Sequence, residues 1–230
     1  SGIKIGMQLP CGCSVEEIIQ APSAGVNLVL DETALPLARK MKEAFGTPYI
    51  RFERFIDPQR IWEAYQMLFD ALQRELPPQL EENYKKAQKC VEQVKEKLFG
   101  IGYIYGNTPF HCLELNAFLC RIGMIPQLIQ TAQIEPEQEK DYLLEILSKT
   151  NPYVTKSANI APLQSLYDVL HPHLYLGHEY PARLRKKGMA VVRCDAASSM
   201  LGFEVTEFML SQLANATEEA HQYRKEVGLR

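Results

Sequence analysis

The sequence predicts an α/β protein built from two Rossmann-like parallel-sheet units with flanking helices, the first of them incomplete. Three observations carry this. Short β-branched runs alternate with amphipathic helical stretches along the whole chain. The run GVNLVL, Gly25 to Leu30, is apolar at successive positions, as in a strand buried on both faces of a parallel sheet. The adjacent prolines Pro77 and Pro78 mark a boundary, which divides the chain into residues 1–76 and 77–230.

In the first segment strands are expected near Ile3–Gln8, Val26–Leu30 and Pro48–Arg51. A short helix precedes the second strand. A longer helix follows it, with Leu37, Met41 and Ala44 at helical spacing and Gly46 as its C-cap. A helix from Pro58 to Gln73 carries Ile61, Tyr65, Leu68 and Leu72 on one face. Beyond the boundary, Leu80, Tyr84, Ala87, Val91, Val94 and Leu98 recur in steps of four and three. Fewer than three heptads are present, so an amphipathic helix docked on a domain is favoured over a coiled coil. The second unit then reads as strands at Ile101–Tyr105, Met124–Gln130, Leu174–Gly177 and Ala190–Arg193. Its helices are expected after Pro109, over Pro136–Lys149, Pro162–Leu170 and Pro181–Lys187, and from Leu201 toward Val227.

At 230 residues the chain can bury two modest cores. Its net charge of −3 and lack of a basic stripe argue against nucleic acid as a partner. Apolar runs are strand-length, so no membrane span is expected. The chain opens Ser1-Gly2 ahead of an expected strand, which reads as a piece of a longer protein. Six cysteines in a chain with an ample core read as thiols or metal ligands in a reducing cytoplasm.

Ligands of open parallel sheets bind outside the carboxyl ends of the strands. The loops there supply the candidate cofactor-binding residues: Cys11, Cys13, Asp31, His178, Cys194 and Asp195. Cys11 and Cys13 can offer thiolates ahead of a helix, but two donors do not complete a four-ligand site. Ordinary loop thiols are the favoured reading. His171, His173 and His178 are close in sequence, but a strand separates the first two from the third, which rules against one metal cluster. His178 lies at the ligand-binding end, where a hydrogen-bonded loop histidine is favoured over a catalytic one. The stretch Gly106 to Pro109 has one glycine and no lysine, so it reads as a helix cap and not a phosphate loop.

The stretch from Cys13 to Phe52 resembles the second domain of nitrogenase component 1 subunits. The matching residues are Glu16, Glu17, Ile18, Ala21, Pro22, Ala24, Asn27, Leu28, Val29, Ala38, Met41, Glu43, Phe45, Gly46, Pro48 and Tyr49. The likeness continues at Phe118–Met124, at His171–Gly177, at Gly188-Met189 and at Leu201–Glu204. It implies roughly the last half of a component 1 subunit. Asp31 stands where the catalytic α-type subunits carry the cysteine that ligates the iron–molybdenum cofactor. No histidine lies between Gly188 and Gly202, where those subunits carry their second ligand, and Val205 replaces a family glycine. The resemblance therefore implies an oxidoreductase subunit that handles electrons at a metallocluster or related cofactor, without being a catalytic nitrogenase α subunit. A cofactor-assembly scaffold and a non-catalytic binding module of the same fold are the alternatives. No cofactor is expected in this stretch alone; an iron–sulfur or other metallocluster is implied for the full-length protein. Implied partners are a homologous sister subunit, or a second copy in a homodimer, and an ATP-dependent iron–sulfur reductase. Cys11, Asp31 and the loop 193–199 are expected to face one polar cleft, with Arg51 and Arg54 available to pair with its carboxylates.

Overall fold

The computed structural model describes residues 3–9, 12–106, 108, 110, 112–131, 140–156 and 161–229. The chain forms two compact units. One comprises Ser1–Glu53 and Gln59–Tyr84; the other comprises Arg54–Pro58 and Lys85–Arg230.

The first unit opens with helix α1, Val15–Gln20. A reciprocal capping box starts it: Ser14 Oγ accepts from the Glu17 amide at 3.2 Å, and Glu17 Oε2 accepts from the Ser14 amide at 2.7 Å. Strand β1, Asn27–Val29, leads into helix α2, Leu35–Phe45, and strand β2, Tyr49–Arg51. Gly46 ends α2 with φ of 74°, a left-handed turn that a side chain would strain. β1 and β2 pair in parallel, Asn27 opposite Tyr49 and Val29 opposite Arg51. Helix α3, Pro58–Ala71, and the first turns of helix α4, Pro78–Leu98, complete the unit. Val29, Leu35 and Ala38 pack as one apolar cluster, and Ile50, Leu68 and Phe69 as another.

Two expectations fail here. Residues 3–8 form no strand. Gly6 sits in the middle of that run, where it loses entropy without adding a packed side chain. Nor is β1 buried on both faces: Val29 is 2 % exposed, but Leu28 is 45 % exposed. A two-stranded sheet shelters the face that meets α2 and leaves the other to water.

In the second unit the order is β3 (Gly102–Tyr105), α5 (Cys112–Arg121), β4 (Ile125–Gln130), α6 (Lys140–Lys149) and β5 (Tyr153–Thr155). Then come α7 (Tyr167–Leu170), β6 (Leu174–Leu176), α8 (Pro181–Arg185), β7 (Ala190–Val192) and α9 (Phe203–Glu226). The five strands lie in the spatial order β5-β4-β3-β6-β7, and every adjacent pair is parallel. This is a doubly wound sheet whose strand order reverses between β3 and β6. Its core gathers Leu98, Tyr103, Leu113, Leu119, Leu176, Val205, Met209 and Leu213 among others. Val91 and Val94 of α4 pack against that cluster, so the seam read from the sequence docks on a domain.

Strand β5 is not legible in the sequence. Three residues are too few to show alternation, and Tyr153 and Val154 are exposed at the sheet edge. Over 162–170 a single α-helix is replaced by a 3-10 turn, Ala161–Leu166, and the short α7. The part of the helix expected over 136–139 lies outside the described residues.

Candidate functional site

The carboxyl ends of β6 and β7 open onto a cleft of about 480 Å³ lined by Gly177, His178, Glu179, Tyr180, Pro181, Val191, Arg193 and Asp195. Its size falls within the range of small-molecule sites. His178 follows β6. Asp195 follows β7 and opens the 3-10 turn Asp195–Ser199. His178 Nε2 lies 2.8 Å from Asp195 Oδ1, and their side chains are 67 % and 58 % exposed. The pair is an ion pair when the imidazole is protonated and a hydrogen bond when it is neutral.

Glu179 behaves differently from its neighbour. Its side chain is only 6 % exposed, so the carboxylate must be met by partners. Gln164 Nε2 donates to Oε2 at 3.0 Å, and Tyr167 Oη donates to the same oxygen at 3.3 Å. The Tyr180 amide donates to Oε1 at 2.7 Å, and Arg183 approaches that oxygen at 3.5 Å. Burial first, then the neighbouring Tyr175 phenol and Glu179, pushes the Tyr167 phenol well above its ordinary range, so it stays a donor. The Tyr175 phenol is raised in the same way, by burial and then by Glu179. Glu179 thus anchors the wall of the cleft.

The sequence-selected residues divide by surroundings. Asp31 ends β1 and caps a 3-10 turn: its Oδ1 accepts from the Thr33 amide at 2.9 Å and from Thr33 Oγ1 at 2.6 Å. Cys13 is a partly exposed free thiol just before α1. Cys11 lies outside the described residues. Cys194 is buried, and desolvation, then the adjacent Asp195 charge, pushes its thiol up to about 12. Its Sγ donates to the Val192 carbonyl at 3.7 Å. A thiol held this way is neither a nucleophile nor a ready metal ligand. Arg51 pairs with Glu53 at 2.7 Å, and Arg54 Nε donates to the Ser198 carbonyl at 2.8 Å. His173 starts β6, its amide bonded to the Gly102 carbonyl at 2.8 Å, at the strand end opposite His178. His178 and Asp195 are therefore brought together, and Glu179 joins them. Gln164 and Tyr167 were missed: Gln164 lies in the 3-10 turn Ala161–Leu166 and Tyr167 opens α7, and neither carries a motif in the sequence.

Among the described residues no three His, Cys, Asp or Glu side chains form a group able to hold a metal ion. The donor chemistry agrees. Cys194 is protonated, Asp31 is engaged as a cap, and the second unit's cleft offers a histidine and hard carboxylates in place of thiolates. The described residues do not fit an iron–sulfur or mixed-metal cluster as ligands.

The doubly wound parallel sheet with its cleft at the carboxyl edge defines an α/β, Rossmann-like protein. Residues 1–218 match the family described as nitrogenase component 1 type oxidoreductase, and the chain belongs to that family. No curated protein matches the sequence. Among solved structures, nitrogenase Cp1 at pH 6.5 is similar, with a TM-score of 0.72 and 16 % identity, over 86 % of this chain and 46 % of that one. Nitrogenase Cp1 at pH 5 is similar with a TM-score of 0.65 and 17 % identity, over 94 % of this chain and 51 % of that one. At such identities the likeness speaks to the fold. The chain spans about half the length of these structures. No helix among the described residues is long and apolar enough to cross a membrane.

Proposed function

We propose that the chain is part of a nitrogenase-component-1-like oxidoreductase subunit that handles electrons at a metallocluster or related cofactor. In this reading the present part shapes the cofactor's surroundings and does not ligate it. The family match over residues 1–218 carries the reading. The donor set gives it its limits: by the sequence resemblance Asp31 falls where the family's α-type subunits carry a cofactor cysteine, and its Oδ1 accepts from Thr33. A cluster bound by the full-length protein would draw its thiolates from elsewhere in that protein. His178, Asp195 and Arg193 would supply polar contacts, and the buried Glu179 network would keep that wall of the cleft rigid. The same family membership supports a homologous sister subunit or a homodimer, and an ATP-dependent iron–sulfur reductase as electron donor. Free thiols at each described cysteine fit a reducing cytoplasm.

Anaerobic purification of the full-length protein with its partner subunit, followed by iron and sulfide analysis, tests this. The parent protein is expected to carry iron, and C13S, D31A and C194S are expected to retain it. Loss of stoichiometric iron in any of the three variants would show a ligand within this part. An iron-free parent after reconstitution would end the oxidoreductase reading.

A cofactor-assembly scaffold of the same fold is the second reading. The absence of a held thiolate at Asp31 favours it, because a scaffold binds its cargo only transiently. Transfer of loaded cofactor from this protein to a cofactor-free acceptor would select it.

A further inference from the structure

The segment Arg54–Pro58 lies in sequence between β2 and α3, yet it folds with the second unit. Side-chain contacts hold it there. Ile56 is fully buried in the core cluster of that unit. Thr206 Oγ1, in the first turn of α9, donates to the Ile56 carbonyl at 2.6 Å. Arg121, at the end of α5, donates to Asp57 Oδ2 at 2.6 Å. Arg54 Nε donates to the Ser198 carbonyl at 2.8 Å. The first three fasten the strap to the body of the domain. The fourth reaches the turn Asp195–Ser199.

That turn has little of its own to hold it. Its backbone bonds run from the Ala197 amide to Cys194 O and from the Met200 amide to Ala197 O, both at 3.1 Å. Ser199 Oγ adds a bond to the Ala196 carbonyl at 3.0 Å. Asp195, Ala196, Ser198 and Ser199 are all exposed, so packing contributes little beyond the buried Ala197. A segment with few buried contacts opens locally at low free energy unless something outside it adds a tie. A guanidinium loses little freedom per bond, because its planar fork is already rigid.

We infer that Arg54 is a positioning residue for the cleft: anchored through the buried strap, it fixes the Asp195–Ser199 turn so that Asp195 stays within hydrogen-bond reach of His178. Arg54 does not line the cleft and touches neither partner of the pair. It acts through the turn. The inference holds whether the cleft serves an enzyme or a scaffold, and its test does not depend on bound cofactor.

The test uses the full chain, with hydrogen exchange over residues 195–200 and the 15N and 1H NMR signals of the His178 imidazole at one fixed pH, assigned against H178Q. R54A is expected to speed exchange at the Ala197 and Met200 amides about tenfold, the loss of roughly one charge-assisted hydrogen bond. Exchange in α5 and α9 should not change, because Ile56, Asp57 and Thr206 keep their contacts. D195N is expected to shift the His178 imidazole signals at that pH, because it replaces the carboxylate that Nε2 meets at 2.8 Å. R54A should move those signals the same way, R54K should restore part of the difference, and R54A/D195N should match D195N. A merely structural role would loosen the turn without moving the imidazole. Wild-type imidazole signals in R54A beside shifted ones in D195N would overturn the inference, and so would unshifted signals in D195N. Should R54A fail to fold, R54Q carries the same comparison with His178.

Discussion

The two ends of β6 each carry a histidine and treat it in opposite ways. At the amino end His173 is half-buried, its ring set edge-on to His221 at 5.7 Å, and Nδ1 has no hydrogen-bond partner. Arg224, itself buried, donates to the neighbouring His171 carbonyl at 3.0 Å. Burial first, then the positive charge of Arg224 and then His221, lowers the His173 imidazole to about 4. At the carboxyl end His178 stands in water beside a carboxylate. One end is closed around a neutral ring by the last turns of α9. The other is open, charged and flanked by short turns. The contrast follows from a parallel sheet, in which all the carboxyl ends share one edge and the returning helices start there. Packing closes the amino end of β6 around His173, while the cleft of about 480 Å³ lies at the carboxyl ends of β6 and β7.

Changes in the shared core should break both ends at once and give the largest effects. Leu176 is fully buried in β6 between the two histidines. L176A is expected to cost about 2–5 kcal/mol in urea unfolding, the range for a truncated core leucine. At the carboxyl end of β3, a Cβ on Gly106 would lie 2.1 Å from Tyr175 Oη. G106A is therefore expected to cost about 1–3 kcal/mol through overpacking. Y175F should recover part of that loss in the double variant, because it removes the clashing oxygen. Equal stability of G106A and wild type would show that the edge yields more than a packed core does.

The amino end should reveal itself through pH. The folded value of His173, about 4, lies below the ordinary value of 6.5. The unfolded chain therefore binds more protons than the folded one between those values. Stability from this group is complete above about 6.5 and is lost as pH falls toward 4. After discounting for the ring's partial exposure, the loss should be about 1–2 kcal/mol. H173N should flatten the dependence of the urea midpoint on pH across that window. A slope unchanged in H173N would assign the acid sensitivity elsewhere.

How far the sequence reached depends on length and company. Strands β3, β4, β6 and β7 are bounded by glycines, prolines or turns and are largely buried, so their patterns stand out; β5 is three exposed residues and left no pattern. The run at residues 3–8 looked like a strand by composition, but a strand also needs a neighbour to pair with, and composition does not report one. At the site, the rule that ligands gather at carboxyl ends was enough to select His178 and Asp195, which do meet. The same rule selected Cys194, whose side chain turns into the domain and stays protonated. Loop position tells which residues are near an edge; only packing decides which way each side chain points. The Glu179 network was hidden for the same reason, since Gln164 reaches it from a 3-10 turn and Tyr167 from the start of α7, a stretch with no recognisable motif.

The smallest effect on stability is expected at the open end. His178 and Asp195 are both more than half exposed, so water and salt screen their attraction. Ordering two surface side chains also offsets part of the gain, and exposed pairs contribute about 0–1 kcal/mol. H178Q should therefore leave the urea midpoint close to that of wild type, and raising the salt concentration should shrink even that difference. R183A sets the scale within the same cleft wall, because its partner Glu179 is buried and loses one of its neutralising contacts. It should cost more than H178Q, although Gln164, Tyr167 and the Tyr180 amide continue to hold the carboxylate. If H178Q proved the more destabilising of the two, His178 would belong to the rigid wall of the cleft, and the open end of β6 would be as closely built as the amino end.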